Sequence, residues 1–298
     1  MKRIIISVLA LGVCLTPLTV PLMVQPSWGQ SQNSQVQELQ RLIQQVQQQQ
    51  QQGQRRQVIE TLQQILGIAL QWKDRKLEAL ALNNIGFNYY SIGQLQEALK
   101  YYNQALLIRR EVKDRAGEAN TLNNIGGVYD SIGQPQEALK YYNQALSIRR
   151  EVKDRAGEAT TLSNIGAVYN SIGQPQEALK YHNQALPITR EVKDRAGEVT
   201  TLNNIGVVYN SIGQPQEALK YYHQTLSIVR ELKYRLGEAA TLNNIGAVYY
   251  SIGQPQKALT YYNQALPITQ EIKDRAGKLL LLIILVQCTK ISDSHKRH

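Results

Sequence analysis

The chain has 298 residues and a formal net charge of +10, with 43% hydrophobic residues, one Phe, seventeen Tyr and two Cys. Cys14 and Cys288 stand at opposite ends, so the body between them has neither a disulfide framework nor a thiolate site. Residues 1–29 and 278–298 hold six of the 33 basic and one of the 23 acidic residues, leaving 27 against 22, a body of about +5. Its charges interleave, as in Arg149-Arg150-Glu151-Val152-Lys153-Asp154-Arg155, the pattern of a solvated helix face rather than the undiluted basic stripe that nucleic acid requires.

At the N-terminus, Met1-Lys2-Arg3 precedes an apolar run from Ile4 to Val24 containing Pro17 and Pro21, followed by Ser27-Trp28-Gly29. This is the layout of a secretory signal over residues 1–29, cut after Gly29, and the chain is expected to be exported, periplasmic or extracellular. The run is long enough to serve as a retained anchor. Its prolines and the small residues at its end favour removal, with no stable membrane insertion afterwards.

Residues 30–75 form a Gln-rich cap with a worn repeat. Val36, Leu39, Ile43 and Val46 fall at helical spacing, and GQRRQVIETLQQILGIALQWKDR from Gly53 aligns with GQLQEALKYYNQALLIRREVKDR from Gly93. The Gln47 to Gln52 run is read as helix, with a disordered polar tract as the alternative.

From residue 76 to 277 the sequence repeats five times with a period of 40: SIGQPQEALKY recurs at 131, 171 and 211, with near copies at 91 and 251. Within one unit Leu122, Ile125, Gly126, Tyr129 and Ile132 fall on one helical stripe, and Ala138, Leu139, Tyr142, Ala145 and Leu146 on a second. Gly133 ends the first helix, and Pro135 fits the first turn of the next. The recurring Gly126, Ala138 and Ala145 let the two helices approach closely. One pair leaves an apolar flank that only the next pair covers, so an all-α, right-handed superhelical solenoid of antiparallel helix pairs is expected.

Leu122-Ile125-Gly126-Tyr129 and Ala138-Tyr142-Ala145 resemble the tetratricopeptide repeat. At 40 residues, with Arg150 where the 34-residue version has Pro, the unit looks like the longer branch typified by kinesin light chains and Leu-Gly-Asn-rich adaptors. That resemblance implies a concave groove in which asparagines of the first helix hold an extended protein or peptide ligand by its backbone. The corresponding residues here are Asn84, Asn124, Asn164, Asn204 and Asn244, preceded by Asn83, Asn123, Ser163, Asn203 and Asn243. An Asn side chain offers one acceptor and two donors, matching a peptide unit without selecting its side chain. The alternative is that these amides satisfy carbonyls within the stack; they repeat opposite the Leu-Ile-Tyr stripe, where packing is not expected to need them. Tyr90, Asp130, Asn170, Asn210 and Tyr250 vary at one position further along, the behaviour expected of a reader of ligand side chains. The wall position Phe87, Gly127, Ala167, Val207 and Ala247 varies too.

No catalytic set is assembled, and the chain is not expected to be an enzyme. His182 takes a packing slot held elsewhere by Tyr, His223 replaces an exposed Asn, and His295 and His298 lie near the end, so no metal-ligand spacing arises. No phosphate loop or other cofactor motif is present. Glu118, Glu137 and Glu151 read as ordinary surface charges. Pro187 and Pro267 fall inside second helices, where a kink is expected.

The tail, GKLLLLIILVQCTKISDSHKRH, breaks the pattern. Restoring one base before Lys278 and shifting the frame regenerates EATTLNNIGAVYK, then Asn or Asp, then IGQPQEA, which matches EATTLNNIGAVYNSIGQPQEA at all but two places. Residues 278–298 therefore read as a frame-shifted remnant of a further repeat. Its aliphatic run is too short to span a bilayer and lacks the polar end a solenoid needs, so self-association through that end is an expected partner mode. Exported bacterial arrays that look like this one often precede a caspase-like CHAT peptidase domain. The alternative function is thus a recognition arm whose catalytic half is lost by the frameshift.

Overall fold

The computed structural model describes residues 29–272 and Gly277, with side chains from Gln35 onward. The leader expected over residues 1–29, Gly29 apart, and the frame-shifted tail expected over residues 278–298 lie outside the described residues. The described chain is an all-α array of helix pairs. It divides into two compact units, one ending at Ile132 and one beginning at Gly133.

The first unit holds α1 (Gly29–Gln51), α2 (Arg55–Trp72), α3 (Arg75–Ser91), α4 (Leu95–Glu111) and α5 (Arg115–Ser131), each packed on the next. α1 runs through Gln47 to Gln51, the glutamine stretch being carried by the apolar stripe on its inner side. Leu39, Leu42 and Val46 of α1 close over Val58, Leu62 and Ile65 of α2 and Leu77 and Ile85 of α3. All of these side chains are buried, each worth about 1.5–3 kcal/mol relative to exposure.

The second unit holds α6 (Pro135–Glu151), α7 (Arg155–Ser171), α8 (Pro175–Glu191), α9 (Arg195–Ser211), α10 (Pro215–Glu231), α11 (Arg235–Ser251) and α12 (Pro255–Glu271). α7 pairs with α8, α9 with α10 and α11 with α12, and each pair packs on the following one. Gly206 shows why the pairs lie close: a Cβ there would stand 2.7 Å from Cε1 of Tyr222. The tyrosine ring fills the space that the missing side chain leaves. Above these rings, Tyr209 stacks on Tyr221 and Tyr249 on Tyr261, with centroids 5.5 and 5.4 Å apart.

Two kinds of turn alternate. After α7 the amides of Gly173 and Gln174 return to the carbonyls of Asn170 and Tyr169, with Gly173 at φ +74. This is the left-handed cap that glycine adopts without steric cost. After α8 the same closure is made by Lys193 at φ +57, and Asp194 then caps α9 by accepting from the amide of Gly197 at 2.9 Å. A lysine in that region costs about 1 kcal/mol, which the asparagine or glycine common at such positions would avoid. Only the glycine turn carries an obvious signal in sequence.

One expectation needs correction. Glu118 is not a surface charge: it is 5% exposed, its carboxylate held between Arg110 Nε at 2.8 Å and Arg115 Nη1 at 2.6 Å. Glu158, Glu198 and Glu238 are held in the same way. The first turn of each first helix lies against the preceding second helix, and the two arginines replace the water that burial removes. Glu137, by contrast, is exposed and pairs with Lys140. The two interior prolines do not end their helices. α8 and α12 run uninterrupted through Pro187 and Pro267 and keep the 17 residues of α6 and α10. Both rings lie on the exposed side, where the missing N–H costs no buried partner.

His182 is buried completely in the slot that Tyr222 and Tyr262 occupy in later pairs. Its ring covers Gly166, and neither ring nitrogen has a hydrogen-bond partner. Burial pushes its pKa down to about 4.

Candidate functional site

A 40-residue repeat places equivalent residues of successive first helices side by side. In the first unit, Asn83, Asn84 and Tyr90 stand on α3, and Asn123, Asn124 and Asp130 on α5. Asn124 Nδ2 donates to Asn83 Oδ1 at 3.3 Å, and the same oxygen accepts from Thr121 Oγ1 at 3.1 Å. Tyr90 Oη and Ser131 Oγ share a hydrogen bond of 2.9 Å. Asp130 is exposed at the rim, with its pKa raised by partial desolvation.

In the second unit, Asn164 and Asn170 stand on α7, Asn203, Asn204 and Asn210 on α9, and Asn243, Asn244 and Tyr250 on α11. The link between α9 and α11 repeats the geometry of the first unit: Asn244 Nδ2 donates to Asn203 Oδ1 at 3.0 Å. Between α7 and α9 the link differs. Ser163 stands where an asparagine would accept, and its hydroxyl pairs with Thr201 Oγ1 at 3.0 Å.

The asparagines therefore bond from one first helix to the next. They form a ladder of side-chain amides, half-buried for the most part, on the seam between neighbours. Packing engages them, which differs from the expectation that it would not. The reason is geometric: the side chain of Asn124 or Asn244 on one first helix is long enough to reach the Asn Oδ1 of the preceding first helix. Two rungs keep unused capacity. Asn83 and Asn203 spend their Oδ1 on the ladder, while their Nδ2 groups have no protein partner among the described residues.

Ladder ends are different. Asn84 is 8% exposed and its Nδ2 is buried without a partner, because Ile43 occupies the place of the acceptor one repeat upstream. Asn243 Oδ1 is likewise buried without a partner. In the sequence, Leu281 and Ile284 stand one repeat after the donors Thr241 and Asn244.

Sequence reasoning missed Asn88, which is fully buried on α3 and donates from Nδ2 to the Asn84 carbonyl at 2.8 Å. The available signal was its departure from Val128, Val168, Val208 and Val248. It also missed Thr121, which shares Asn83 Oδ1 with Asn124, and Thr201, which pairs with the Ser163 hydroxyl.

Among the described residues, no group of three or more His, Cys, Asp or Glu is arranged to hold a metal ion. No helix there is long and apolar enough to cross a membrane.

Residues 77–151, 136–191 and 197–271 match the tetratricopeptide repeat family. No curated protein matches the sequence. Among solved structures, BtubC (BKLC) from P. vanneervenii is similar at TM-score 0.66 and 21% identity, over 74% of this chain and 92% of that one. A Podosopora anserina kinesin light chain of nearly identical TPR-like repeats is similar at TM-score 0.54 and 20% identity, over 64% and 95%. The Rap conjugation gene regulator of plasmid pLS20, solved in complex with the Phr* peptide, is similar at TM-score 0.58 and 18% identity, over 70% and 58%. At these identities the likeness is one of fold.

Proposed function

Because the chain belongs to the tetratricopeptide repeat family, with matches over more than half its length, we propose that it is a non-catalytic scaffold that binds an extended peptide segment along the open side of its first helices. The observation that carries this reading is the ladder itself. At 40-residue intervals it presents half-buried amides whose unspent donors and acceptors match a peptide backbone. Each rung already held by its neighbour has lost its rotamer freedom, so binding through it costs little further ordering. A regulator of similar fold has been solved with a peptide, which agrees with this use of the fold.

The residues proposed to meet the ligand are the asparagines of the ladder, apart from the buried Nδ2 of Asn84, together with Tyr90, Asp130, Asn170, Asn210 and Tyr250. The proposal extends to export, which rests on the apolar N-terminal run. Panning a random-peptide display library against the full chain, then titrating the enriched peptides by calorimetry, tests the function. Saturable one-to-one binding supports it, and failure to enrich any peptide refutes it. For export, mass spectrometry of the expressed product reads the mature N-terminus, with residue 30 expected first.

A further inference from the structure

Two observations narrow what this face accepts. The first is a gap in the ladder of the second unit. Ser163 is too short to offer a carbonyl to α9 and turns its hydroxyl to Thr201. Among the described residues, Asn204 has neither Oδ1 nor Nδ2 bonded to protein, and neither atom is buried. The contrast with Asn84 is informative. There too the acceptor is missing, yet Nδ2 is buried and cannot donate to a ligand. At Asn204 the same loss opens a whole amide, donor and acceptor together, to the solvent side.

The second observation is charge. On α7 from Ala159 to Ser171, on α9 from Val199 to Ser211 and on α11 from Ala239 to Ser251 there is no charged residue. The charges of these helices, Arg155 with Glu158 and their counterparts, are confined to the first turn and neutralise one another there. What faces outward beside Asn204 is Thr200, Val207 and Asn210, with Ala167 and Ala247 on the flanking helices. A charged group laid on this surface would lose hydration and find no counter-charge.

We infer that Ser163 sets the specificity of this face: by opening the ladder at Asn204, it creates an anchoring amide that takes the backbone of an uncharged extended peptide segment. The inference rests on the reading of the array as a peptide binder. Asn204 donates Nδ2–H to a backbone carbonyl of the ligand and accepts a backbone N–H on Oδ1. The ligand side chains that flank this point are small or polar and carry no charge.

The test takes the most enriched peptide from the library, synthesises it with a fluorophore, and titrates it against the full wild-type chain, Asn204→Ala and Ser163→Asn. Ser163→Asn restores the residue that other repeats carry and gives Asn204 Nδ2 an acceptor, so the variant is expected to fold at least as well. Both variants are expected to weaken the peptide by about tenfold, corresponding to one or two lost hydrogen bonds, with melting temperatures unchanged or, for Ser163→Asn, higher. Enriched peptides are expected to be uncharged over the residues that contact the array. Unchanged affinity in Ser163→Asn overturns the inference while leaving peptide binding intact. So does a set of enriched peptides whose binding depends on a Lys, Arg, Asp or Glu. If no peptide is enriched, the proposed function falls and the inference falls with it.

Discussion

The two units keep their departures from the repeat in different states. In the unit ending at Ile132, Asn88 stands where later repeats have Val, and its amide is satisfied from within: Nδ2 donates to the Asn84 carbonyl and Oδ1 accepts from Arg55 Nη1 at 3.5 Å. In the unit beginning at Gly133, His182 stands where Tyr222 and Tyr262 stand in later pairs, and its ring nitrogens meet nothing. Ser163 stands where other repeats have Asn, and it leaves Asn204 open. A repeat fixes the slot, and the consequence of a foreign side chain depends on the atoms around that slot. A buried slot turns a missing partner into an energetic cost, whereas an open one turns it into a free binding group.

The largest effect expected from this contrast is a pH dependence confined to the second unit. The folded pKa of His182 lies near 4, whereas an unfolded histidine titrates near about 6.5. Between those values the unfolded chain binds more protons, so stability rises with pH through this window and is lost as pH falls through it. The total is about 3 kcal/mol by linkage. Urea titrations from pH 7 to pH 4 measure it, and a flat profile would contradict the burial of the ring. Next in size, His182→Tyr refills the slot with the residue used over Gly206 and Gly246. It is expected to add about 1–3 kcal/mol at neutral pH and to remove most of the pH dependence, both read from the same titrations. Asn88→Val in the first unit is the matched control: its polar group is already paired, so restoring the repeat there is expected to change stability by less than about 1 kcal/mol.

Smaller effects separate the rungs of the ladder. Asn244→Ala removes a bond to Asn203 and is expected to cost about 1 kcal/mol. Asn204→Ala removes none and is expected to stay within about 0.5 kcal/mol. Melting curves of the two variants, run side by side, are the check; equal losses would mean that Asn204 is bonded after all.

Much of this molecule is legible in sequence because its signals are local and repeated. Gly133 and Pro135 mark a turn by their own backbone preferences. Gly206 and Tyr222 mark a close helix pair by size. What was not legible depends on atoms brought together from distant positions. Glu118 reads as solvated because it stands among other charges, and only the packing of α5 on α4 shows that Arg110 reaches it. Lys193 is not a residue that announces a left-handed turn. The ladder is the clearest case. Asn83 and Asn124 are 41 residues apart, and an asparagine's chemistry suits solvent, ligand and neighbour equally, so sequence alone left those uses open. The break at Ser163 was visible as a letter change, yet its meaning required knowing that Thr201 would take the hydroxyl.

The most direct test of peptide capture on the ladder is side-chain amide NMR on chain labelled at asparagine nitrogen, titrated with the enriched peptide. The account predicts that the Asn204 Nδ2 resonances shift and gain protection from exchange at saturation, while those of Asn244, already bonded to Asn203, move little. A saturated complex in which the Asn204 amide is unperturbed would contradict it.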